Sequence, residues 1–182
     1  EVTLFDTNLA YKNILHAIRT GEGLEGTVEV DPNYGKYHFD GHRLCGVCLS
    51  PAESKEQKGI CPKCKRPLTI GVLTRVEELA DRPEGYRPLQ PKKFFSVVPL
   101  SEILAAFVGG QPSSKKVQEM YYSLLKAYTN EFDILLRASR EDLATHTDQK
   151  IAHAIVDVRE GKIPIKPGFD GVYGYPAFQG VE

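Results

Sequence analysis

The sequence predicts an α+β chain. It should hold a small β-hairpin and four-cysteine module, then a mostly α-helical region, with a strand and helix in front. Three observations predict this. Two C-x-x-C pairs separated by twelve residues span Cys45 to Cys64. Alternating β-branched residues flank a turn-forming cluster just before them. From Leu100 to Glu160, apolar residues recur at the helical period, punctuated by Gly and by capping residues.

The elements follow in order. Val2 to Phe5 reads as a strand. Asn8 to Thr20 reads as an amphipathic helix, with Tyr11, Ile14, Leu15 and Ile18 on one face, Asn8 as N-cap and Gly21 as its stop. Gly26 to Val30 and Lys36 to Phe39 alternate around Asp31-Pro32-Asn33-Tyr34-Gly35, which predicts a strand–turn–strand hairpin. Val72 to Ala80 reads as a short helix. Asp81 to Lys93, with Pro83, Pro88 and Pro91, reads as an extended connector. Helices follow over Leu100 to Val108, from Ser113 or Ser114 to about Tyr128, as a turn at Glu131 to Arg137, after a capping pair at Ser139 and Asp142, and over Asp148 to Glu160. The tail from Lys162 to Pro176 carries two short alternating stretches around Pro-Gly and Asp-Gly turns. These readings divide the chain at 1–24, 25–95 and 96–182.

Composition bounds the function classes. A chain of 182 residues with 41% hydrophobic and 26% charged content is globular rather than disordered or collagenous. No apolar run is long enough to span a membrane, and the start lacks a signal peptide's basic and apolar regions; the expectation is a cytoplasmic protein. The sole methionine is Met120, so the chain is expected to be a piece of something longer. The net charge of −1 is unevenly spread. Residues 40–95 carry 11 basic and 7 acidic side chains, and both flanks are net acidic. Local surplus, rather than total charge, attracts a polyanion.

Zn(II) takes four tetrahedral ligands and favours thiolate. A two-residue gap lets one tight turn aim both sulfurs at one ion, so Cys45, Cys48, Cys61 and Cys64 are the expected ligands of a structural, zinc-ribbon-like site. Two disulfides would suit a secreted domain, which nothing here signals, and a redox pair needs only one C-x-x-C. The large apolar residues between Cys45 and Cys64 are Val47, Leu49 and Ile60, so the metal is expected to substitute for a core. With four cysteines at hand, His38 and His42 are not needed as ligands. They join Tyr37, Arg43, Lys63, Lys65, Arg66, Arg75, Lys92 and Lys93 as candidate nucleic-acid contacts, because Lys and Arg meet phosphates and aromatic rings stack on unpaired bases. The competing reading is a solvated face of a small metal module. The loop Gly168 to Gly174, centred on Asp170, reads equally as a functional loop or as a plain turn. No nucleophile elbow, phosphate-binding loop or carboxylate pair marks a complete active site, and no catalytic residue is assigned.

The runs GLEGTVEVDPNYGKYHFDGHRLCGVCLSP, GICPKCKRPLTIGVLTRVEELADRPEGYRP and KPGFDGVYG resemble the C-terminal part of the endonuclease Q family. The resemblance covers essentially the whole chain. It implies a parent with an N-terminal PHP (polymerase and histidinol phosphatase) domain that holds further divalent metals, with residues 1–24 as the edge of that domain. It implies a DNA repair endonuclease cutting 5′ of deaminated bases and at abasic sites. It carries over the four cysteines as zinc ligands and the DNA-facing character of the basic segment. The expected partners are therefore damaged DNA and the chain's own PHP domain, with the chain alone inactive as a nuclease. The alternative is a non-enzymatic, zinc-stabilised structural or protein-interaction module.

Overall fold

The computed structural model describes residues 1–83 and 85–178. In chain order the elements are β1 (Val2–Phe5), α1 (Tyr11–Thr20), β2 (Leu24–Val30), β3 (Asp40–His42), β4 (Val47–Leu49), α2 (Pro51–Glu56), α3 (Val72–Leu79), β5 (Lys93–Val97), α4 (Leu100–Val108), α5 (Lys115–Ala127), α6 (Glu131–Leu136), α7 (Arg140–His146), α8 (Gln149–Arg159), β6 (Ile165–Lys166) and β7 (Tyr175–Pro176). The architecture is mixed α+β, with eight helices and small sheets among the described residues. No helix among them is long and apolar enough to cross a membrane.

The chain forms two compact units. Among the described residues, unit 1 comprises 1–30, 90–163 and Phe178; unit 2 comprises 31–89 and 164–177. In unit 1, β2 lies between β1, antiparallel, and β5, parallel. The hairpin expected between Gly26–Val30 and Lys36–Phe39 does not form. Both edges of β2 are already taken by β1 and β5. Beyond it, Asp31 accepts the Asn33 N–H at 2.8 Å and Pro32 opens a single 3-10 turn, which leads the backbone out of the sheet. A short hairpin does occur in the cysteine segment, where β3 pairs antiparallel with β4.

The helices of unit 1 bury one apolar stripe each. Leu100, Ile103, Leu104, Val117, Leu124, Ile134, Leu143 and Ile155 are fully buried, and α8 packs on α4, α6, α7 and β5. Their ends are set by local chemistry. Gly21 closes α1 in the left-handed conformation; Asn130, Ser139 and Asp148 accept backbone N–H bonds at the starts of α6, α7 and α8. Helix α1 begins at Tyr11 rather than Asn8, with Ala10 as its N-cap and no side-chain capping bond. Glu131 ties three helices together: it accepts the Leu100 N–H at the start of α4 and the Tyr121 hydroxyl of α5, each at 2.8 Å. Arg159 donates to the carbonyls of Ile134 and Leu135, which terminate α6.

Unit 2 has little apolar core: Val47, Cys61 and Leu68, with Cys45 and Leu49 against them. Its buried polar side chains, among the described residues, are Ser54 and the carboxylate of Asp40. Asp40 is fully buried, and its Oδ1 accepts the Gly71 N–H at 2.6 Å and the Thr74 hydroxyl at 2.7 Å, tying β3 to the start of α3.

Candidate metal centre and basic surface

The first cysteine turn grows out of β3. A 3-10 turn over Arg43–Cys45 ends at Gly46, whose φ of 59° is left-handed, and the Gly46 N–H returns to the Arg43 carbonyl at 3.0 Å. The chain then re-enters the hairpin as β4. The second turn, Cys61 to Cys64, is closed by the Lys65 N–H on the Cys61 carbonyl at 2.9 Å, with Lys65 itself at a φ of 61°. Across the gap, Lys63 donates from Nζ to the Cys45 carbonyl at 2.7 Å. Between the turns lies α2, which the apolar period alone does not predict. Its signal is Ser50-Pro51-Ala52-Glu53: a capping box with Pro at the first helical position, and both reciprocal bonds are present.

These turns bring His42, Cys45, Cys61 and Cys64 together, their ligand atoms all within 4.8 Å of one another. His42 Nδ1 lies 3.6 Å from Cys64 Sγ. Zinc holds sulfur at about 2.3 Å and imidazole nitrogen at about 2.0–2.1 Å, so donors on one tetrahedral ion lie about 3.5–3.8 Å apart, which the His42–Cys64 separation matches and the other donors approach. Three sulfurs and one ring nitrogen are therefore a fitting closed donor set. Cys48 stands outside this group, on β4 opposite Gly41 and half-buried. The feature pointing to His42 is its place three residues before Cys45, at the end of the strand that enters the turn.

The thiols are electrostatically unequal. Burial and the neighbouring Cys64 and Cys61 sulfurs push the Cys45 thiol up to about 11. Burial pulls Cys61 upward most strongly, but the backbone N–H groups of Cys64 and Lys63, together with the Cys64 and Cys45 thiols, outweigh it, and the net direction is down. N–H donors on a sulfur stabilise the thiolate that a metal needs. Cys48 is raised by burial and then by the Glu53 carboxylate.

A second constraint comes from the far end of the chain. Asp170, at a φ of 41°, accepts the Arg43 N–H on Oδ2 at 2.6 Å and the Thr69 hydroxyl on Oδ1 at 2.7 Å. The Arg43 bond, then the Thr69 bond, hold its carboxyl below the usual carboxylate range. The Gly168–Gly174 loop thus braces the turn that carries His42 and Cys45.

The candidate nucleic-acid residues divide between the units. Tyr37, His38, His42, Arg43, Lys63, Lys65, Arg66 and Arg75 lie in unit 2, whereas Lys92 and Lys93 lie in unit 1. Tyr37, Arg43, Lys65 and Arg66 are exposed. Arg75 is paired with Glu78 at 2.7 Å, and Lys92 donates to the Gly21 carbonyl at 2.5 Å. His38 is half-buried and stacks on Phe39, and burial lowers its imidazole pKa against the opposing pull of Asp31.

Comparison with known proteins fits both units. Residues 99–162, which hold α4 to α8, match the family described as the MJ0043 C-terminal domain. The chain is 33% identical over 150 residues to protein MJ0043 of Methanocaldococcus jannaschii, covering 82% of this chain and 19% of that one. It superposes on the lesion-specific endonuclease Q of Pyrococcus furiosus with a TM-score of 0.83 at 28% identity, over 97% of this chain and 44% of that one. These matches are consistent with the C-terminal part of an endonuclease Q-like protein. A second endonuclease Q structure, a complex with a 27-mer duplex substrate bearing an abasic lesion at its active site, gives a TM-score of 0.80 at 28% identity, over 96% of this chain and 44% of that one. This chain thus spans under half of either endonuclease Q.

Proposed function

We propose that this chain is the DNA-contacting accessory portion of a PHP-type, metal-dependent repair endonuclease that cuts 5′ of deaminated bases or at abasic sites. The carrying observation is the likeness, over 97% of the chain, to an endonuclease described as lesion-specific. The abasic-duplex complex of a second endonuclease Q supports DNA as the partner.

The donor set of unit 2 supports a structural zinc ion held by Cys45, Cys61 and Cys64, with His42 as the fourth ligand that the geometry favours and Cys48 as the one that spacing favours. When bound, zinc ties the two cysteine turns into one rigid piece. With four protein ligands it offers no position for an activated water, so the nuclease chemistry belongs to the PHP portion of the parent. The chain's own contribution is a basic face that neutralises phosphates around the lesion, where a base must leave the stack.

The test is fluorescence anisotropy with a uracil-containing duplex at low and raised salt, alongside a cleavage assay with Mn(II) and Mg(II). The expected result is weak binding that falls steeply with salt, and no cleavage. Absence of binding at low salt, or cleavage by the chain alone, overturns the proposal.

A further inference from the structure

The Gly168–Gly174 loop does more than brace the turn that carries His42 and Cys45. It is nailed along its length to residues 33–39. Gly168 N–H donates to the Asn33 carbonyl at 2.8 Å, Gly171 N–H to Lys36 at 2.8 Å and Gly174 N–H to Tyr34 at 3.2 Å, while the Phe39 N–H donates to the Gly168 carbonyl at 3.0 Å. Gly174 lies so close to the Asn33 carbonyl that no side chain fits there.

This rigid seam presents exposed rings. Tyr37 is 45% and Tyr173 is 66% exposed. The Lys36 ammonium sits over both, 5.7 Å from the Tyr37 ring centre and 5.6 Å from that of Tyr173. At Gly171 in the seam, the Arg43 guanidinium and the Tyr37 hydroxyl converge. The carboxylate beside them, Asp170, is occupied by the Arg43 N–H and the Thr69 hydroxyl. Two solvent-facing aromatic rings flanking one ammonium, with a guanidinium alongside, match the chemistry of an unpaired nucleotide: a π-face for the base and positive charge for its phosphate.

We infer that Tyr37 and Tyr173, with Lys36 and Arg43, form a platform on which unpaired bases of a single DNA strand stack. This rests on the reading that unit 2 contacts DNA, and it gives that surface a preference for unpaired over paired strands. Held in place by backbone bonds, the rings lose little freedom on binding.

The experiment uses the whole chain, a single-stranded oligothymidylate and a duplex of mixed sequence, with anisotropy read across a salt series. Nine tyrosines and no tryptophan make tyrosine emission a direct second readout of stacking. Tyr37→Ala with Tyr173→Ala is expected to weaken binding of the single strand by about tenfold or more, at an unchanged salt slope, and to reduce quenching. Tyr37→Phe with Tyr173→Phe keeps the rings and is expected to bind as the natural chain does. Lys36→Ala lowers the salt slope by about one. Equal binding by the alanine and natural chains overturns the platform, as does an equal loss in the phenylalanine chain. If duplex binding still falls with Lys63→Ala, Lys65→Ala and Arg66→Ala, the DNA reading stands without the platform. If the natural chain binds neither nucleic acid, both fall.

Discussion

In unit 1 the largest fully buried side chains are aliphatic: Val28 of β2 and eight Leu, Ile and Val residues drawn from all five helices α4 to α8; in unit 2 the buried side chains include Val47, Cys61 and Leu68, with the carboxylate of Asp40 and the hydroxyl of Ser54. Each fully buried aliphatic chain stabilises by about 1.5–3 kcal/mol, so unit 1 has a conventional core. Unit 2 has too few such chains for its size. It is held instead by polar tethers between sequence-distant segments: Asp40 to Gly71 and Thr74, Asp170 to Arg43 and Thr69, and the donor cluster that joins two turns. A hydrophobic core tolerates repacking, because area is what stabilises it. A tethered unit does not, because each tether is one specific geometry. That is the arrangement suited to holding a contact surface rigid with little interior.

The sharpest way to break this contrast is to disable the His/Cys donor cluster. In zinc-finger peptides the apparent binding energy of structural zinc is about 10–16 kcal/mol, and binding and folding are one event. Cys61→Ser, or chelation, is expected to abolish hydrogen-exchange protection over residues 31–89 and 164–177 and to leave α4 to α8 protected. Cobalt substitution sharpens the same point. The natural chain is expected to show the visible spectrum of a three-sulfur, one-nitrogen site, unchanged in Cys48→Ser and altered in His42→Ala. A four-sulfur spectrum lost in Cys48→Ser would make Cys48 the fourth ligand instead.

The mirror experiment is in unit 1. Ile103, Leu143 and Ile155 have no exposed surface, and truncating one such chain leaves a cavity as well as losing burial. Leu143→Ala is expected to cost about 2–5 kcal/mol of unit 1 stability, measured by urea unfolding with far-UV circular dichroism, with metal content unchanged.

The two units also differed in how well they could be read. The helices of unit 1 announce themselves: Leu100 to Val108 ends at Gly109, Ser139 caps onto Asp142, and Asp148 opens α8 at its expected place. There, period and cap are local signals. Strand β5 is not legible locally, because Lys93-Phe94-Phe95-Ser96-Val97 follows a Pro-rich stretch and is a strand only through its long-range pairing with β2. In unit 2 the cysteine spacing points to three of the four clustered donors, Cys45, Cys61 and Cys64, but the place of His42 in the cluster depends on how β3 enters the first turn. The role of Asp170 was illegible in the sequence, because its partner Arg43 lies 127 residues away.

The smallest expected effect is alkaline, and it falls on unit 1. Tyr121 donates to Glu131 Oε2 and Tyr128 to Asp142 Oδ2, each at 2.8 Å. Burial, and then these acceptors, push both phenols up to about 12. An unfolded phenol titrates near 10, so between about pH 10 and 12 the folded state binds more protons than the unfolded one. Stability from these groups is therefore whole below about pH 10 and is lost as pH rises through about 12. Tyr121→Phe removes one titrating group and leaves Glu131 Oε2 without its partner, while Oε1 keeps the Leu100 N–H. At neutral pH this variant is expected to lose about 1 kcal/mol, since Tyr121 is half-exposed and water can take over part of the bond. Thermal unfolding followed at the helix signal from pH 8 upward should show a shallower alkaline fall for Tyr121→Phe than for the natural chain. Parallel curves for the two chains would show that the Tyr121–Glu131 tie does not couple α5 to α6.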